Sequence, residues 1–436
     1  MTAELEKSLL EDASRYAFRA RMDKKVPGGP IFVEGHGSVV RDLQGRDYID
    51  FNSGQMCSAL GHNHPRVVKA IIESCETMIH AHSSYYNLQE IRLARALGQV
   101  LPKPLEKSLF GASGADANEM AMMIARKYTH GYEIVSPHVS FHGLSDSTRA
   151  VTFASWHANH GQLPGGTMAM VAPYCYRCPL NQTFPSCEFA CLKVSFELLD
   201  AQSTGRPAAV ITEPLFSAGG VIEPPPGWLA KLKEYCSARD MLLIVDEEQT
   251  GLGKLGAMFG FERDGVVPDI VTMAKHLGGG IAISAVSTTA AIEDKVVNEG
   301  FVATHSHSND PLPCAAGVAS IEVVVEEDVP AKARAIGAYF RGHLEALVQR
   351  YEMIGDVRGR GMLQGIELVK SRQTKEPATA DGEAIAKRCF ADGLIFSVRR
   401  GGSVLRFVPP ATTTESQIDR AAEILGNALE AVATRR

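Results

Sequence analysis

The chain has 436 residues, with 44 Lys and Arg against 50 Asp and Glu, so its formal charge is −6. With 45% hydrophobic and 22% charged residues, its composition is that of a globular protein and excludes a disordered or collagen-like chain. The small net charge gives no electrostatic reason to expect nucleic acid or an anionic membrane as partner. The acidic start is no secretory signal, no uncharged apolar run approaches the roughly 18 residues of a membrane span, and nine cysteines suit a reduced compartment. We therefore expect a cytoplasmic enzyme.

Short apolar runs separated by helical or loop segments predict a mostly parallel, doubly wound sheet between about residues 105 and 290. Each run is almost continuously apolar, which favours strands buried on both faces. Helical segments are expected at 116–128 and 228–239. The predicted strands are 107–113, 132–137, 167–173, 208–214, 241–246, 269–275 and 282–289.

The pattern changes after about residue 312, where a long helical stretch (314–352) leads into a glycine-broken strand segment. A second helical pattern at 380–392 precedes the short strand SVLRFVPP, and the last helix opens with a capping box that begins at Thr414. We expect residues 1–60 and 312–436 to form a small α+β domain, and residues 61–311 to form a large α/β domain.

Gly251, Gly253 and Gly256 match the G-x-G-x-x-G pattern of dinucleotide sites and follow a predicted strand. That motif requires an unbroken helix, whose N-terminus faces the pyrophosphate. Here Gly260, Gly265 and Pro268 interrupt the following segment. The sequence therefore predicts a glycine loop and not a nicotinamide site.

Two charged residues end neighbouring predicted strands. Asp246 ends MLLIVD, and Lys275 ends DIVTMAK and precedes three glycines. An isolated Asp here is more often a cap, and an isolated Lys is more often a surface residue. A third element, the strand-to-helix segment 111–119, has the geometry that binds a phosphate at a helix N-terminus. Together these features match pyridoxal phosphate, which offers an aldehyde to the Lys, a ring nitrogen to the Asp and a phosphate to the loop.

The runs DEEQTGLGKLGAMF, GVVPDIVTMAKHLGGG, SFHG and ITEP resemble the class III pyridoxal-phosphate aminotransferases, from about residue 30 to the end. Within that family, the runs FNSGQM, LGHNHP, NDPLP, IGDVRGRG and LRFVPP are most similar to the dialkylglycine decarboxylases. The resemblance implies a fold-type-I transferase: a large domain with a mostly parallel sheet flanked by helices, and a smaller α+β domain.

The resemblance also implies roles for individual residues. Lys275 corresponds to the Schiff-base lysine and Asp246 to the acid that keeps the pyridine nitrogen protonated. Arg406 corresponds to the arginine that binds the substrate α-carboxylate, and Gln55 to a glutamine near the departing carboxylate. The remaining cofactor-binding residues are Ser113, Gly114 and Ala115 at the phosphate, Phe141 on the ring face, Gln249 at the ring hydroxyl, His142 and Glu213 in the SFHG and ITEP motifs, and Ser306 from a neighbouring subunit.

Ser306 in that role implies a homodimer, or a dimer of dimers, that shares its sites. Two positions depart from the decarboxylase pattern: Phe141 replaces a Trp, which enlarges the pocket, and Glu248 replaces an Ala. The decarboxylases also bind an alkali metal ion, with whose oxygen ligands Ser83, Ser306, Ser308 and Asp310 align.

Cys175, Cys178, Cys187 and Cys191 lie within 17 positions of one loop. Four thiolates could bind zinc, although the spacing is not that of a standard zinc ribbon; free thiols or a local disulfide are the alternatives. Three histidine pairs, 62/64, 80/82 and 305/307, are expected in loops and subunit contacts, because no third ligand is spaced to join them.

We therefore expect an enzyme that moves an amino group from an amino acid to a 2-oxo acid by ping-pong chemistry, with decarboxylation as an open variant. The alternatives are an ω-amine transaminase, a lyase or epimerase that uses the same cofactor, and a non-catalytic cofactor-binding regulator. The regulator is disfavoured, because no DNA-binding segment is appended and the lysine is intact.

Overall fold

The computed structural model describes residues 2–18, 29–154 and 161–434. The helices in this part of the chain are α1 (Thr2–Tyr16), α2 (Ser53–Met56), α3 (Pro65–Thr77), α4 (Leu88–Val100), α5 (Gly114–Thr129), α6 (Asp146–Ala150), α7 (Ala190–Gln202), α8 (Trp228–Ser237), α9 (Ala290–Asn298), α10 (Pro311–Glu326), α11 (Val329–Arg350), α12 (Thr379–Ala391) and α13 (Glu415–Ala433). The strands are β1 (Phe32–His36), β2 (Val39–Asp42), β3 (Asp47–Asp50), β4 (Leu105–Gly111), β5 (Glu133–Pro137), β6 (Thr167–Met170), β7 (Pro207–Thr212), β8 (Leu242–Asp246), β9 (Ile270–Met273), β10 (Ser284–Thr289), β11 (Ile354–Arg360), β12 (Leu363–Leu368), β13 (Leu394–Ile395), β14 (Ser397–Arg399) and β15 (Val404–Phe407).

A seven-stranded sheet in the order β4-β10-β9-β8-β7-β5-β6 forms the centre of the molecule. Strands β9, β8, β7, β5 and β6 pair in parallel, whereas β10 is antiparallel to both of its neighbours. All seven strands coincide with predicted runs, so the mostly parallel sheet is confirmed. Because the carboxyl ends of parallel strands lie at one edge, β8 and β9 bring Asp246 and the segment after Met273 together.

Both faces of this sheet are buried, as the continuous apolar runs predict. On β8, Leu243 and Val245 belong to one apolar core, and Leu242 and Ile244 belong to another on the opposite face. Helix α5 packs on the second face. Since side chains alternate along a strand, Asp246 points to the same face as Ile244 and therefore toward α5.

Two four-stranded sheets lie outside the large sheet, and the first of them combines strands from both ends of the chain. One has the order β1-β2-β3-β13 and the other, antiparallel throughout, has the order β11-β12-β15-β14. A separate core of residues from α11, α12, α13 and these strands lies beneath them. This arrangement is consistent with the expected α+β unit, while the domain boundaries at 60 and 312 stay predictions.

The predicted helical stretch 314–352 is helical, but it forms two helices, α10 and α11. The chain breaks between α10 and α11 at Asp328, whose φ of +46° lies in the left-handed region. The Asp328 side chain accepts a hydrogen bond from Ala331 N at 3.2 Å, so it caps α11. Pro330 in the first turn of α11 has no N–H to continue the preceding helix.

The G-x-G-x-x-G segment is followed by a short 3₁₀ turn, Gly260–Asp264, and not by the long helix that a dinucleotide motif requires. The capping box at the start of α13 is also confirmed, because Thr414 and Gln417 bond reciprocally. Within the described residues, no helix is both long and apolar enough to cross a membrane.

A buried ionic cluster joins the loop after β6 to the antiparallel sheet. The carboxylate of Glu367 on β12 is fully buried and contacts Tyr174, Arg177 and Arg358. The two arginines compensate the buried charge, and burial raises the pKa of the Tyr174 phenol far above its ordinary value, so it donates to the carboxylate. This cluster fixes the loop that carries the four clustered cysteines against the sheet that carries Arg406.

Candidate active site

Asp246 lies at the carboxyl end of β8 and is 4% exposed. Its Oδ2 lies 2.8 Å from His142 Nδ1 and accepts a hydrogen bond from Asn118 Nδ2 at 2.9 Å. Burial alone would raise the pKa of Asp246, but the hydrogen bond and charge of His142, with the charge of Lys275, lower that pKa below its ordinary value. Asp246 is therefore an ionised, oriented carboxylate, and among the described residues its Oδ1 accepts a hydrogen bond from the backbone N–H of Glu248 alone.

Lys275 follows β9 by two residues and begins a 3₁₀ turn with a φ of +49°. A non-glycine residue in this region is strained, and such strain is concentrated at functional sites. Lys275 Nζ donates to Glu248 Oε2 at 2.6 Å. Burial alone would lower the pKa of the Lys275 ammonium, but the Glu248 and Asp246 carboxylates outweigh burial and raise it.

Ser113 and Asp116 form a capping box at the start of α5. Ser113 Oγ accepts from Asp116 N at 3.2 Å, so the loop holds its shape while Gly114 and Ala115 stand at the helix N-terminus. A Cβ at Gly114 would overlap the Glu248 carboxylate, so an anion already lies against this N-terminus. The positive end of a helix favours such a group.

Phe141 and His142 reach the site from the segment after β5. The backbone N of Phe141 donates to Glu213 Oε1 at 3.0 Å, and Glu213 Oε2 accepts from Ser217 N at 3.2 Å. Burial, with repulsion from Asp246, raises the pKa of Glu213 well above its ordinary value. Glu213 therefore positions the Phe141–His142 segment beside Asp246.

Arg406 on β15 is fully buried and faces Gln249 from the other side of the site. Its Nε donates to Ser397 Oγ at 2.9 Å, and its Nη1 donates to Ser217 Oγ at 3.0 Å and to Gln249 Oε1 at 3.4 Å. Its Nη2 is buried and has no hydrogen-bond partner among the described residues. Burial, with repulsion from Arg399, lowers the pKa of Arg406 well below its ordinary value, and the more distant charge of Glu213 does not offset this. No carboxylate in the described part of the chain forms a hydrogen bond with Arg406.

The structure therefore brings most of the predicted cofactor-binding residues and Arg406 into one region. Gln55 and Ser306 are both exposed on the chain surface. Gln55 lies in α2, whose backbone is irregular at Gly54 and Gln55. Among the described residues, Ser306 makes no hydrogen bond to the Lys275 cluster, the bonded group of Lys275, Glu248, Asn118 and Asp246.

The segments predicted to bind an alkali ion are adjacent. Thr304 Oγ1 donates to Ser83 Oγ at 3.1 Å, and Asp310 and Ser308 are buried close by. Asp310, however, is bonded to His80 Nδ1 at 2.6 Å and to His307 Nδ1 at 2.7 Å. These three are the only His, Cys, Asp or Glu side chains of the described residues whose ligand atoms lie within 4.8 Å of one another as a group. The expectation that no third ligand joins the histidine pairs was therefore wrong, because Asp310 is distant in sequence from His80.

The four clustered cysteines, Cys175, Cys178, Cys187 and Cys191, are free thiols that line one cavity of about 20 Å³. They do not form a group with the close sulfur spacing of a zinc site. Burial, with repulsion from the other three thiols, raises the pKa of Cys175 to about 11, which favours the protonated form. The structure gives the zinc prediction no support.

The residues 22–429 match the family model of the class-III aminotransferases. The chain belongs to the class III aminotransferase family. It is 35% identical to a leucine/methionine racemase of Thermococcus litoralis, over 96% of this chain and 95% of that protein. It is 34% identical to an acetylornithine aminotransferase of Caldanaerobacter subterraneus, over 92% of this chain and 95% of that protein. The special likeness to dialkylglycine decarboxylases is not shown by these relatives.

A solved structure of an amine transaminase from an uncultivated Pseudomonas species, with pyridoxal phosphate bound, has the same architecture. It has a TM-score of 0.89 and 29% identity, and covers 96% of this chain and 98% of that one. The fold is thus that of a fold-type-I pyridoxal-phosphate transferase, and the family depends on this cofactor. The residues present fit it: a lysine amine, an oriented carboxylate and a helix N-terminus lie together, and His142 Nε2 is buried with no hydrogen-bond partner in the part of the chain that the structure describes.

Two residues that contact these groups were not assigned roles from the sequence. The fully buried Asn118 donates to Asp246, to Glu248 and to His142 O, and its Oδ1 accepts from Thr272 Oγ1 at 2.7 Å. Asn118 lies one turn inside α5, four residues after the start of the helix. Its position within the predicted phosphate-binding segment was the signal in the sequence that could have indicated a role. Glu248 differs from the decarboxylase pattern, and that difference was the signal for its contact with Lys275.

Proposed function

We propose that this protein transfers the amino group of an α-amino acid to a 2-oxo acid by ping-pong chemistry. The observation that carries this proposal is Arg406, a buried guanidinium with no acidic partner among the described residues. A buried unpaired cation is costly unless an anion meets it. Its Nη2 is free of partners and can donate to a carboxylate, which an amino acid brings and a simple amine does not.

Pyridoxal phosphate, when bound, supplies an aldehyde for the amine and a ring that accepts electrons. In this proposal Lys275 holds the cofactor through its Nζ and then moves the proton at the substrate Cα. Asp246 holds the ring nitrogen protonated, and Asn118 and His142 keep that carboxylate oriented. Ser113, Gly114 and Ala115 hold the phosphate, Phe141 covers the ring, Gln249 bonds the ring hydroxyl, and Arg406 orients the carboxylate.

Two bonds at the substrate Cα can break, the Cα–H bond or the bond from Cα to the carboxylate. Gln55 and the dialkylglycine-like motifs support decarboxylation before transfer. The relative named as a leucine/methionine racemase supports an epimerase with the same cofactor, and the neighbour named as an amine transaminase supports an ω-amine substrate.

One experiment separates these functions. The purified protein is incubated with pyruvate and a panel of α-amino acids, α,α-dialkyl amino acids and simple amines, while keto product, CO2 and loss of chirality are followed. Transfer from α-amino acids without CO2 is the expected result. CO2 release that matches keto product would establish the decarboxylating variant, and racemisation without keto product would overturn amino-group transfer.

We further propose a homodimer, or a dimer of dimers, in which Ser306 completes the partner's phosphate site. The support is its exposed position in the 301–310 segment, away from the Lys275 cluster of its own chain. Sedimentation at assay concentration should give a dimer or tetramer, and a fully active monomer would exclude shared sites. The cytoplasmic location stays a prediction.

The two metal predictions are also carried forward as proposals. If an alkali ion binds near Asp310, replacing K⁺ by Na⁺ at constant ionic strength should alter the activity. Zinc would require the four clustered sulfurs to move closer together when the metal binds, and elemental analysis would then find about one metal per chain. Metal-free protein with four titratable thiols and full activity would exclude zinc.

A further inference from the structure

Glu248 is a buried carboxylate in direct contact with the lysine that the proposed function uses. It is 7% exposed, and its Oε2 lies 2.6 Å from Lys275 Nζ. Its Oε1 accepts from Asn118 Nδ2 at 3.0 Å, the same amide that bonds Asp246. Both oxygens are therefore fixed, one of them on the reacting nitrogen. The aligned position in the dialkylglycine decarboxylases is an alanine, so that resemblance assigns Glu248 no role.

The location of this carboxylate gives a second observation. It lies against Gly114 at the N-terminus of α5, where a Cβ would overlap it. It thus occupies the space beside the proposed phosphate site. The titratable groups that face it are Lys275, Asp246 and the thiol of Cys57. Lys275 is the cation among these three groups.

We propose that Glu248 is an additional acid–base residue for the joining of Lys275 to an aldehyde. Its carboxylate takes a proton from the Lys275 ammonium, and the neutral amine forms a bond from Nζ to the aldehyde carbon. A second Nζ proton passes to the former carbonyl oxygen, which becomes a hydroxyl, and the third proton stays on the nitrogen. Glu248 then returns the proton to the hydroxyl on that carbon, the C–O bond breaks, and water leaves. No oxidant or reductant is required, and Glu248 ends as the carboxylate. This inference rests on the proposed function.

The pKa of Glu248 is suited to general acid–base catalysis. Burial, with repulsion from Asp246, raises the pKa of Glu248 to about 7. A general acid–base group is most effective when its pKa lies near the working pH. A purely structural role makes the opposite prediction. If Glu248 only stabilised the ammonium, removing its charge would free more neutral amine and speed the reaction.

The test measures cofactor attachment and not turnover. Cofactor-free protein is mixed with pyridoxal phosphate at pH 7.5, the absorbance of the covalently bound cofactor is followed in a stopped-flow instrument, and borohydride-trapped mass confirms attachment. The plateau rate of Glu248→Gln should fall roughly 100-fold. The concentration for half-saturation should not rise, because a carboxylate no longer opposes the phosphate.

Glu106→Gln is the matched control, since Glu106 forms an exposed pair of 2.7 Å with Lys103 away from the site; it should load like the parent. Glu248→Asp should retain part of the rate, and added formate should restore part of the rate of Glu248→Ala. A rate for Glu248→Gln equal to or above that of the parent would overturn this inference. Failure of the parent itself to trap cofactor at Lys275 would overturn the proposed function instead.

Discussion

The two sides of the candidate site are both buried, but their charges are compensated differently. At the ends of β8 and β9, Asp246 is bonded to His142 and Asn118, and Glu248 is bonded to Lys275 and Asn118. On β15, Arg406 is bonded only to two hydroxyl groups and one amide oxygen. The first region supplies its own counter-charges, whereas the second contains a cation without an anion among the described residues.

This difference in charge compensation indicates which kind of ligand each region can bind. Where opposite charges already meet, a ligand must replace existing contacts, as the cofactor would replace the contact between Lys275 and Glu248. Where a buried cation is held by neutral groups, a ligand adds the missing charge. We therefore expect the Arg406 region to select for an anion, and the Lys275 and Asp246 region to select for the shape and arrangement of the ligand's groups.

The largest effect is expected from Lys275→Ala, which removes the reacting amine from the compensated side. The purified parent should be yellow, and borohydride should trap its cofactor on Lys275. The variant should lose both the absorbance of the covalently bound cofactor and the trapped mass. Lys103→Ala, at an exposed lysine, is the control and should keep both. Unchanged trapping in the Lys275 variant would place the attachment elsewhere.

Asp246→Asn should lower kcat/KM by roughly 100-fold or more, because an amide cannot hold the ring nitrogen protonated. It should also change acid stability. The folded-state pKa of Asp246 lies below the ordinary value of 3.8, so its contribution to the free energy of unfolding is present above that value and is lost as pH falls through the lower folded pKa. The difference in Tm between parent and variant should therefore shrink below about pH 4; a constant difference would contradict the assignment.

Arg406→Lys tests the uncompensated side. Losing charge-assisted hydrogen bonds costs about 1.5–3 kcal/mol, so kcat/KM for α-amino acids should fall roughly ten- to a hundredfold. Simple amines lack the carboxylate and should be almost unaffected, which makes them the internal control. If amines lose as much as amino acids, Arg406 is structural, and the ω-amine alternative becomes the better function.

The smallest effect is expected from Ser217→Ala, which removes one of the hydroxyl groups that orient Arg406. One hydrogen bond to a charged group is worth about 1.5 kcal/mol, so KM for α-amino acids should rise roughly tenfold with little change in kcat. Ser186→Ala, an exposed serine whose hydroxyl bonds only within its own turn, is the control. A fall in kcat for amines as well would mean that Ser217 acts on the cofactor side through Glu213.

The strand predictions succeeded because buried parallel strands carry a strong local signal. Every strand of the large sheet lies in an apolar run, and Asp246 and Lys275 are recognisable as charged residues at the ends of two such runs. The break at Asp328 was not predicted, because the helical pattern continues on both sides and only the left-handed backbone at that residue separates the helices.

The charge network at the site could be predicted only in part. Asn118 and Glu248 lie 130 positions apart and meet only because α5 packs on the face of β8. The joining of His80, His307 and Asp310 is likewise a property of the folded chain, because spacing along the sequence cannot indicate contacts across 230 positions. The motifs identified residue types, whereas the partners of each residue required the three-dimensional arrangement.

The buried Glu367 cluster connects the cysteine loop to the strand that carries Arg406. Glu367 pairs with Val404 on the neighbouring strand, two positions from Arg406. Tyr174 and Arg177, which contact the same carboxylate, flank Cys175 and precede Cys178. The turn that carries both contacts therefore also carries two of the four clustered thiols. One buried carboxylate thus fixes both the position of this loop and the register of the strand that carries Arg406.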